Sequence, residues 1–163
     1  MKALVITNDS TVFRYEEASA EEMFGGRVTE VRNLKNRLSE ICDVSFGMIS
    51  GKYGFIPGDR VITRYENVPD SAAEYKRLQE RTDFSAWISM ISERFDAVLI
   101  FVPKEMMRLI IEEDVECKVI SSTSPKFKRE FERRGWKFFE RKGARVGKKN
   151  ADDIVKLISS SYF

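Results

Sequence analysis

The residue types best suited to chemistry are concentrated in the run Phe46-Gly47-Met48-Ile49-Ser50-Gly51-Lys52-Tyr53-Gly54-Phe55-Ile56-Pro57-Gly58-Asp59-Arg60, which carries four glycines, a lysine, an aspartate and an arginine. Glycine lets the backbone turn sharply and lets a ligand come close to the main chain. Lys52 and Arg60 supply cationic donors suited to phosphate or carboxylate. Ser50, Gly51, Lys52, Tyr53, Gly54 and Arg60 are therefore the candidate ligand-binding residues. The run is not a Walker loop: the spacing is Ser-Gly-Lys-Tyr-Gly, and no Ser or Thr follows the lysine to hold magnesium. The competing reading is that Gly51, Gly54 and Gly58 serve turns while Tyr53 and Phe55 plug the end of a sheet.

Within this run, Ile49-Ser50-Gly51-Lys52-Tyr53-Gly54-Phe55-Ile56-Pro57, with Asp59 and Tyr65 behind it, resembles the Ser-x-x-Tyr-Gly-hydrophobic signature of YaaA-like proteins, a group of bacterial and archaeal proteins. The resemblance covers about 20 of the 163 residues. It implies a cytoplasmic protein associated with nucleotides or nucleic acid. Where relatives often carry a Cys-Gly-Lys/Ser-rich turn after the first strand, this chain has Thr7-Asn8-Asp9-Ser10-Thr11, so a role tied to that cysteine or lysine does not carry over.

Other chemistry is bounded by composition. The chain has no histidine, which removes Ser-His-Asp and Cys-His catalysis and histidine metal sites together. Acid-base work would fall to carboxylates, and Asp9 and Asp59 are the candidates. Asp9 is placed to hold a ribose hydroxyl or a metal-bound water, or else to close the polar turn that contains it. Cys42 and Cys117 form no metal motif and are expected to be buried free thiols. No motif implies a metal or a cofactor.

Charge is segregated. The formal net charge is only +2, yet the segment from Pro125 to Asn150 holds eleven Lys or Arg residues against three glutamates, which leaves the remainder acidic. Phe127, Phe131, Trp136, Phe138 and Phe139 are interleaved with these cations, the composition of surfaces that combine phosphate attraction with base stacking. Lys142, Arg145, Lys148 and Lys149 are the candidate nucleic-acid contacts. The alternative is a solvated basic surface over an ordinary core. A third candidate anion site is Ser121-Ser122-Thr123-Ser124-Pro125, hydroxyls between a strand and a helix opened by proline, unless Ser124 merely caps that helix.

The elements that must position these residues follow from periodicity. Strands are expected near 2–7, 44–49, 97–102, 116–120 and 136–140, with 97–102, the most apolar run, covered on both faces. Ser19/Glu22 and Ser71/Glu74 have capping-box spacing. A helix from about Arg27 to Cys42 presents Val28, Val31, Leu34, Leu38 and Ile41 to the core and Arg32, Asn33, Asn36 and Arg37 to water. The region 71–95 is helical, with a break near Thr82-Asp83, and buries Tyr75, Leu78, Phe84, Trp87, Ile88, Ile91 and Phe95. A helix opens at Pro103-Lys104 with Met106, Met107, Ile110 and Ile111 inward, another ends at Gly135, and Asn150 begins the last.

The alternation of strand and helix over 163 residues predicts a single three-layer, Rossmann-like α/β domain spanning 1–163, with a mainly parallel sheet of about five strands. No stretch approaches the roughly 20 apolar residues of a membrane span, and a cytoplasmic location is expected. Three function classes remain open: nucleotide or nucleic-acid binding through the glycine loop and the basic segment; a small enzyme acting by glycosyl transfer or hydrolysis on a nucleotide, nucleoside or sugar phosphate; and a protein-interaction module without catalysis. Oligomeric state is not encoded legibly.

Overall fold

The fold was analysed in a computed structural model that describes residues 1–160. The chain runs β1 (Lys2–Asn8), β2 (Glu17–Ser19), α1 (Ala20–Met23), α2 (Val28–Leu38), β3 (Asp43–Ser50), β4 (Gly54–Pro57) and β5 (Val61–Thr63). It continues through α3 (Ala72–Thr82), α4 (Phe84–Ser92), β6 (Ala97–Phe101), α5 (Lys104–Ile111) and β7 (Lys118–Thr123). A 3-10 turn (Pro125–Phe127), α6 (Lys128–Arg134), β8 (Lys137–Glu140) and α7 (Lys148–Ser159) complete it. Six strands form one sheet in the order β4-β3-β1-β6-β7-β8, parallel except for β4, and β2 pairs with β5 in a small antiparallel ribbon. The architecture is the expected Rossmann-like three-layer α/β fold. The sixth strand is β4, formed because the glycine loop turns tightly enough for Gly54–Pro57 to pair back along β3.

One face of the sheet packs Ala3, Val5, Leu99, Phe101 and Ile120 against α2 and α7. The other packs Leu4, Ile6, Val98, Ile100, Val102 and Val119 against α3, α4, α5 and α6. Every residue of β6 is buried, which explains its uninterrupted apolar sequence. Since α2 follows β1 on one face and α5 follows β6 on the other, the adjacent strands β1 and β6 form a topological switch point, where a crevice opens beyond the carboxyl ends.

Four expectations are corrected. Ile41 is 45% exposed because α2 ends at Leu38, taking it out of the helical stripe. Arg32 is buried, donating to the carbonyls of Glu21 (3.0 Å) and Phe24 (2.8 Å) and so satisfying the end of α1. Trp87 is 51% exposed, because Asp83 adopts a left-handed conformation (φ 50°) that resets the phase of α4 onto Phe84, Ser85, Ile88 and Ser92. Asn150 does not start α7, which begins at Lys148; its side-chain amide instead donates to Ser122 Oγ (3.1 Å) and the Glu140 carbonyl (2.9 Å), tying α7 to β7 and β8. Cys42 and Cys117 are free and half-buried, with burial pushing both thiols up. Among the described residues, no helix is long and apolar enough to cross a membrane.

Gly54 and Gly135 both have positive φ, 75° and 73°, but an added Cβ would lie 2.7 Å from Thr82 at the first and meet nothing within 4 Å at the second. Gly135→Ala is therefore expected to cost about 1–2 kcal/mol, the left-handed penalty alone. Gly54→Ala should cost about 2–3 kcal/mol more through the clash. Equal denaturant midpoints for the two variants would contradict tight packing at the loop.

Candidate functional site

The carboxyl end of β1 is the starting point. The Asp9 amide donates to the Ile49 carbonyl (3.1 Å), extending the β1–β3 pairing one residue past Asn8 and fixing the carboxyl group beside the glycine turn. Its Oδ2 accepts from Gly51 N (2.7 Å) and from the Tyr65 hydroxyl (2.5 Å), and the Tyr65 oxygen in turn accepts from Ser50 Oγ (2.9 Å). Ser50 Oγ also accepts from the amides of Lys52 and Tyr53, both at 3.2 Å. Burial is the main cause raising the Asp9 carboxyl to about 6, opposed by the bonds from Tyr65 and Gly51 and by the charge of Arg145. Tyr65 is pushed well above the usual phenol range, first by burial and then by the neighbouring Asp9.

The glycine turn is thus internally satisfied. The amides of Gly51, Lys52 and Tyr53 all have partners, and the carbonyls of Gly51 and Lys52 accept from the Arg81 guanidinium at 2.6 and 3.2 Å. A Cβ at Gly51 would collide with Pro69 and stand 3.2 Å from Asp9 Oδ2, so glycine here serves close packing. Ser50 and Gly54 are buried, which leaves Gly51, Lys52, Tyr53 and Arg60 as the part of the predicted loop that a ligand can reach. Lys52 Nζ and the Arg60 guanidinium lie 5.2 and 4.5 Å from the Tyr53 ring centre. Beside the turn is an open cleft of about 870 Å³ whose walls include Lys52, Tyr65, Asn67, Pro69 and Arg77.

Asp59 is not brought to Asp9. The Gly58 amide bonds the Phe46 carbonyl, and Phe46 pairs with Val5, so Asp59 lies roughly 13 Å back along the sheet from Asp9 at the usual strand rise. It lines a separate cleft with Glu21 and Lys35. The two candidate acids do not form a pair.

The basic segment divides in two. Lys142, Lys148 and Lys149 are exposed, with Lys142 near Glu140 (3.9 Å) and Lys149 paired to Asp153 (3.1 Å). Arg145 is 4% exposed and turned inward, donating to Thr7 Oγ1 (2.8 Å), the Asn8 carbonyl (2.6 Å) and the Asp9 carbonyl (3.1 Å). It braces the end of β1 from within and is not a surface contact. Phe127, Phe131 and Trp136 are buried in the core, while Phe138 and Phe139 are half-buried beside Lys148 and Lys149.

Beyond the switch point, Arg27, Pro103, Lys104, Ser124, Pro125, Arg141 and Gly143 line a cleft of about 380 Å³. Arg27 precedes α2, Lys104 opens α5, Ser124 starts the 3-10 turn after β7, and Arg141 follows β8. Arg141 is held by its Nη1 donating to the Val102 carbonyl (2.9 Å) and by its amide donating to the Thr123 carbonyl (2.9 Å). Burial lowers Arg141, as does the charge of Arg27. Burial also lowers Arg145, to about 10, with Arg141 the next cause. Among the described residues, no carboxylate lies within 4.0 Å of the charged groups of Arg27, Lys104, Arg141 or Arg145. This concentration of unpaired positive charge suits an anion.

Sequence reasoning reached Ser124 and Pro125 but missed Arg27, Lys104 and Arg141. Each stands where a helix opens or a strand ends, a weak signal that becomes informative only once the strand order is known. Comparison of the chain with protein-family models, with curated proteins and with solved structures gives no significant match.

Asp9 supplies a pH test. Its carboxyl is at about 6 in the fold against 3.8 ordinarily, so the folded state binds this proton more tightly than the unfolded chain. Its contribution to stability is therefore fully present below pH 4 and is lost as pH rises through 6, a fall on the order of 3 kcal/mol. Asp9→Asn keeps an acceptor for Tyr65 and Gly51 and removes the titration. Urea unfolding from pH 4 to 7 should show native stability falling relative to the variant, and parallel profiles would refute the assignment.

Proposed function

We propose that the protein binds a phosphate-bearing ligand, a nucleotide or the phosphate of a nucleic acid, with the anion in the cleft of Arg27, Lys104 and Arg141. The observation that carries this reading is the gathering of these unpaired cations over the carboxyl ends of β6 and β7, beside the switch point. Open α/β sheets bind ligands in that crevice, and guanidinium groups match phosphate geometry. At α5, Pro103 provides no capping side chain, while Glu105 in the first turn offsets part of the helix dipole. The glycine loop then acts mainly as a buttress for Asp9, and Lys52 and Arg60 are peripheral. The resemblance to YaaA-like proteins points to the same ligand class.

For a nucleic acid, the exposed Lys142, Lys148 and Lys149 would extend the contact past the cleft. Hydrolysis or glycosyl transfer is less well supported: Asp9 is 3% exposed and doubly hydrogen-bonded, and Asp59 is remote from it. An interaction module is favoured by one observation, the exposure of Trp87 and Met90 together on α4.

The test is equilibrium binding of AMP, ATP and a 5′-phosphorylated single-stranded oligonucleotide at two salt concentrations. Arg27→Ala combined with Lys104→Ala, two surface changes, should weaken every ligand by tenfold or more, and added salt should weaken the oligonucleotide most. Lys148→Glu with Lys149→Glu should affect only the oligonucleotide. Loss of binding with Lys52→Ala alone would move the site to the glycine loop.

A further inference from the structure

Among the described residues three buried side-chain atoms lack a partner: the Nε of Arg145, at the end of β1, and two oxygens near the arginine cleft. Asn8 Oδ1 and Thr123 Oγ1 have no hydrogen bond, although Asn8 is 2% and Thr123 1% exposed. Such atoms are rare in folded proteins and call for water or a ligand. They are not scattered. Asn8 ends β1 and Thr123 ends β7, on either side of β6. By strand alternation Asn8 shares a face with Leu4 and Ile6, and Thr123 shares one with Val119 and Ser121. Leu4, Ile6 and Val119 pack with Met106 and Met107 of α5, so both orphans lie on the α5 side of the sheet at its carboxyl edge. Thr123 directly precedes Ser124 of the cleft wall, and Asn8 sits beside Val102, whose carbonyl holds Arg141.

The chemistry of the orphans is specific. The Asn8 oxygen can only accept, so an ionised phosphate cannot satisfy it. The Thr123 hydroxyl can donate or accept. A ligand hydroxyl does both, and a ligand that carries an anion and hydroxyl groups a few ångströms apart would use the cations and the orphans together.

We propose that the arginine cleft continues beneath the start of α5 into a hydroxyl-binding subsite formed by Asn8 and Thr123, so that the ligand is a phosphorylated sugar, free or as the ribose phosphate of a nucleotide. This rests on the phosphate-binding reading above. The phosphate lies against Arg27, Lys104 and Arg141, and a sugar hydroxyl donates toward Asn8 Oδ1 or exchanges a hydrogen bond with Thr123 Oγ1, directly or through one bridging water.

Titration calorimetry with inorganic phosphate, ribose 5-phosphate and AMP tests this on the native chain, Thr123→Val, Thr123→Ser and Arg27→Ala/Lys104→Ala. Ribose 5-phosphate should bind about tenfold more tightly than inorganic phosphate, the effect of one or two buried hydrogen bonds. Thr123→Val, which preserves shape, should erase most of that advantage while leaving inorganic phosphate within about twofold, and Thr123→Ser should restore it. AMP binding as tightly as ribose 5-phosphate or tighter identifies a nucleotide, and a preference for ribose 5-phosphate identifies a free sugar phosphate. Equal affinity for inorganic phosphate and ribose 5-phosphate, or an advantage that survives Thr123→Val, overturns the subsite while leaving the phosphate cleft intact. No binding of any probe, or binding unchanged in Arg27→Ala/Lys104→Ala, overturns both readings. Thermal melts of Thr123→Val and Thr123→Ser confirm that each is folded; a Val variant that does not fold shifts the decision to Asn8→Ser, with the same outcomes.

Discussion

The guanidinium of Arg145 is the constraint on which the carboxyl edge of the sheet depends. It reaches the end of β1 from more than a hundred residues away in sequence and bonds Thr7 Oγ1 together with the carbonyls of Asn8 and Asp9. Without it, those acceptors would be buried without donors, at a cost of about 1–3 kcal/mol each. The same contact pins the connection between β8 and α7 across the strand ends, where Glu30 also accepts from the Val146 amide. That connection carries Arg141 and Gly143 into the cleft wall. One buried cation therefore orders both the acidic turn at Asp9 and the basic cleft beyond β6.

Burying such charge is costly. Arg141 and Arg145 are both displaced below the usual arginine range, first by burial and then by a neighbouring arginine. Backbone carbonyls compensate part of the cost, through Val102, Asn8 and Asp9. No carboxylate among the described residues pairs with them, in contrast to Arg133 and Arg134, which share Glu130, and Lys35, which pairs with Glu21. Glu30 and Glu105 offset part of the charge of Arg141 from farther away, and Asp9 part of that of Arg145, so the compensation is partial. The glycine turn has the opposite character: Asp9, Ser50, Tyr65 and Arg81 consume its polar groups, and the result is a rigid support.

Much of the architecture was legible because strand and helix signals are local. The apolar run of β6, the capping serines of α1 and α3 and the inward methionines of α5 stand where periodicity placed them. Misreadings arose where a local rule met a neighbour in space. Arg32 looks solvated on a helical wheel, yet the end of α1 lies against that face and needs a donor. Trp87 has core character, but the left-handed turn at Asp83 rotates it outward. The glycine loop reads as a cradle for phosphate because nothing in its sequence reveals that Asp9, Ser50 and Arg81 already occupy its amides and carbonyls.

The sequence by itself determined the α/β class, the alternation of elements, the absence of histidine chemistry and the concentration of positive charge between Pro125 and Asn150. Each of these follows from side-chain periodicity or composition, which need no knowledge of what lies across the sheet. Tertiary structure decided which cations line a common cleft. Arg27, Lys104 and Arg141 come from three distant segments and meet only because β1 occupies the centre of the sheet, with α2 and α5 leaving on opposite faces. It also turned Arg145 inward and separated Asp9 from Asp59, since strand order and register, rather than distance along the chain, set which polar groups share a crevice.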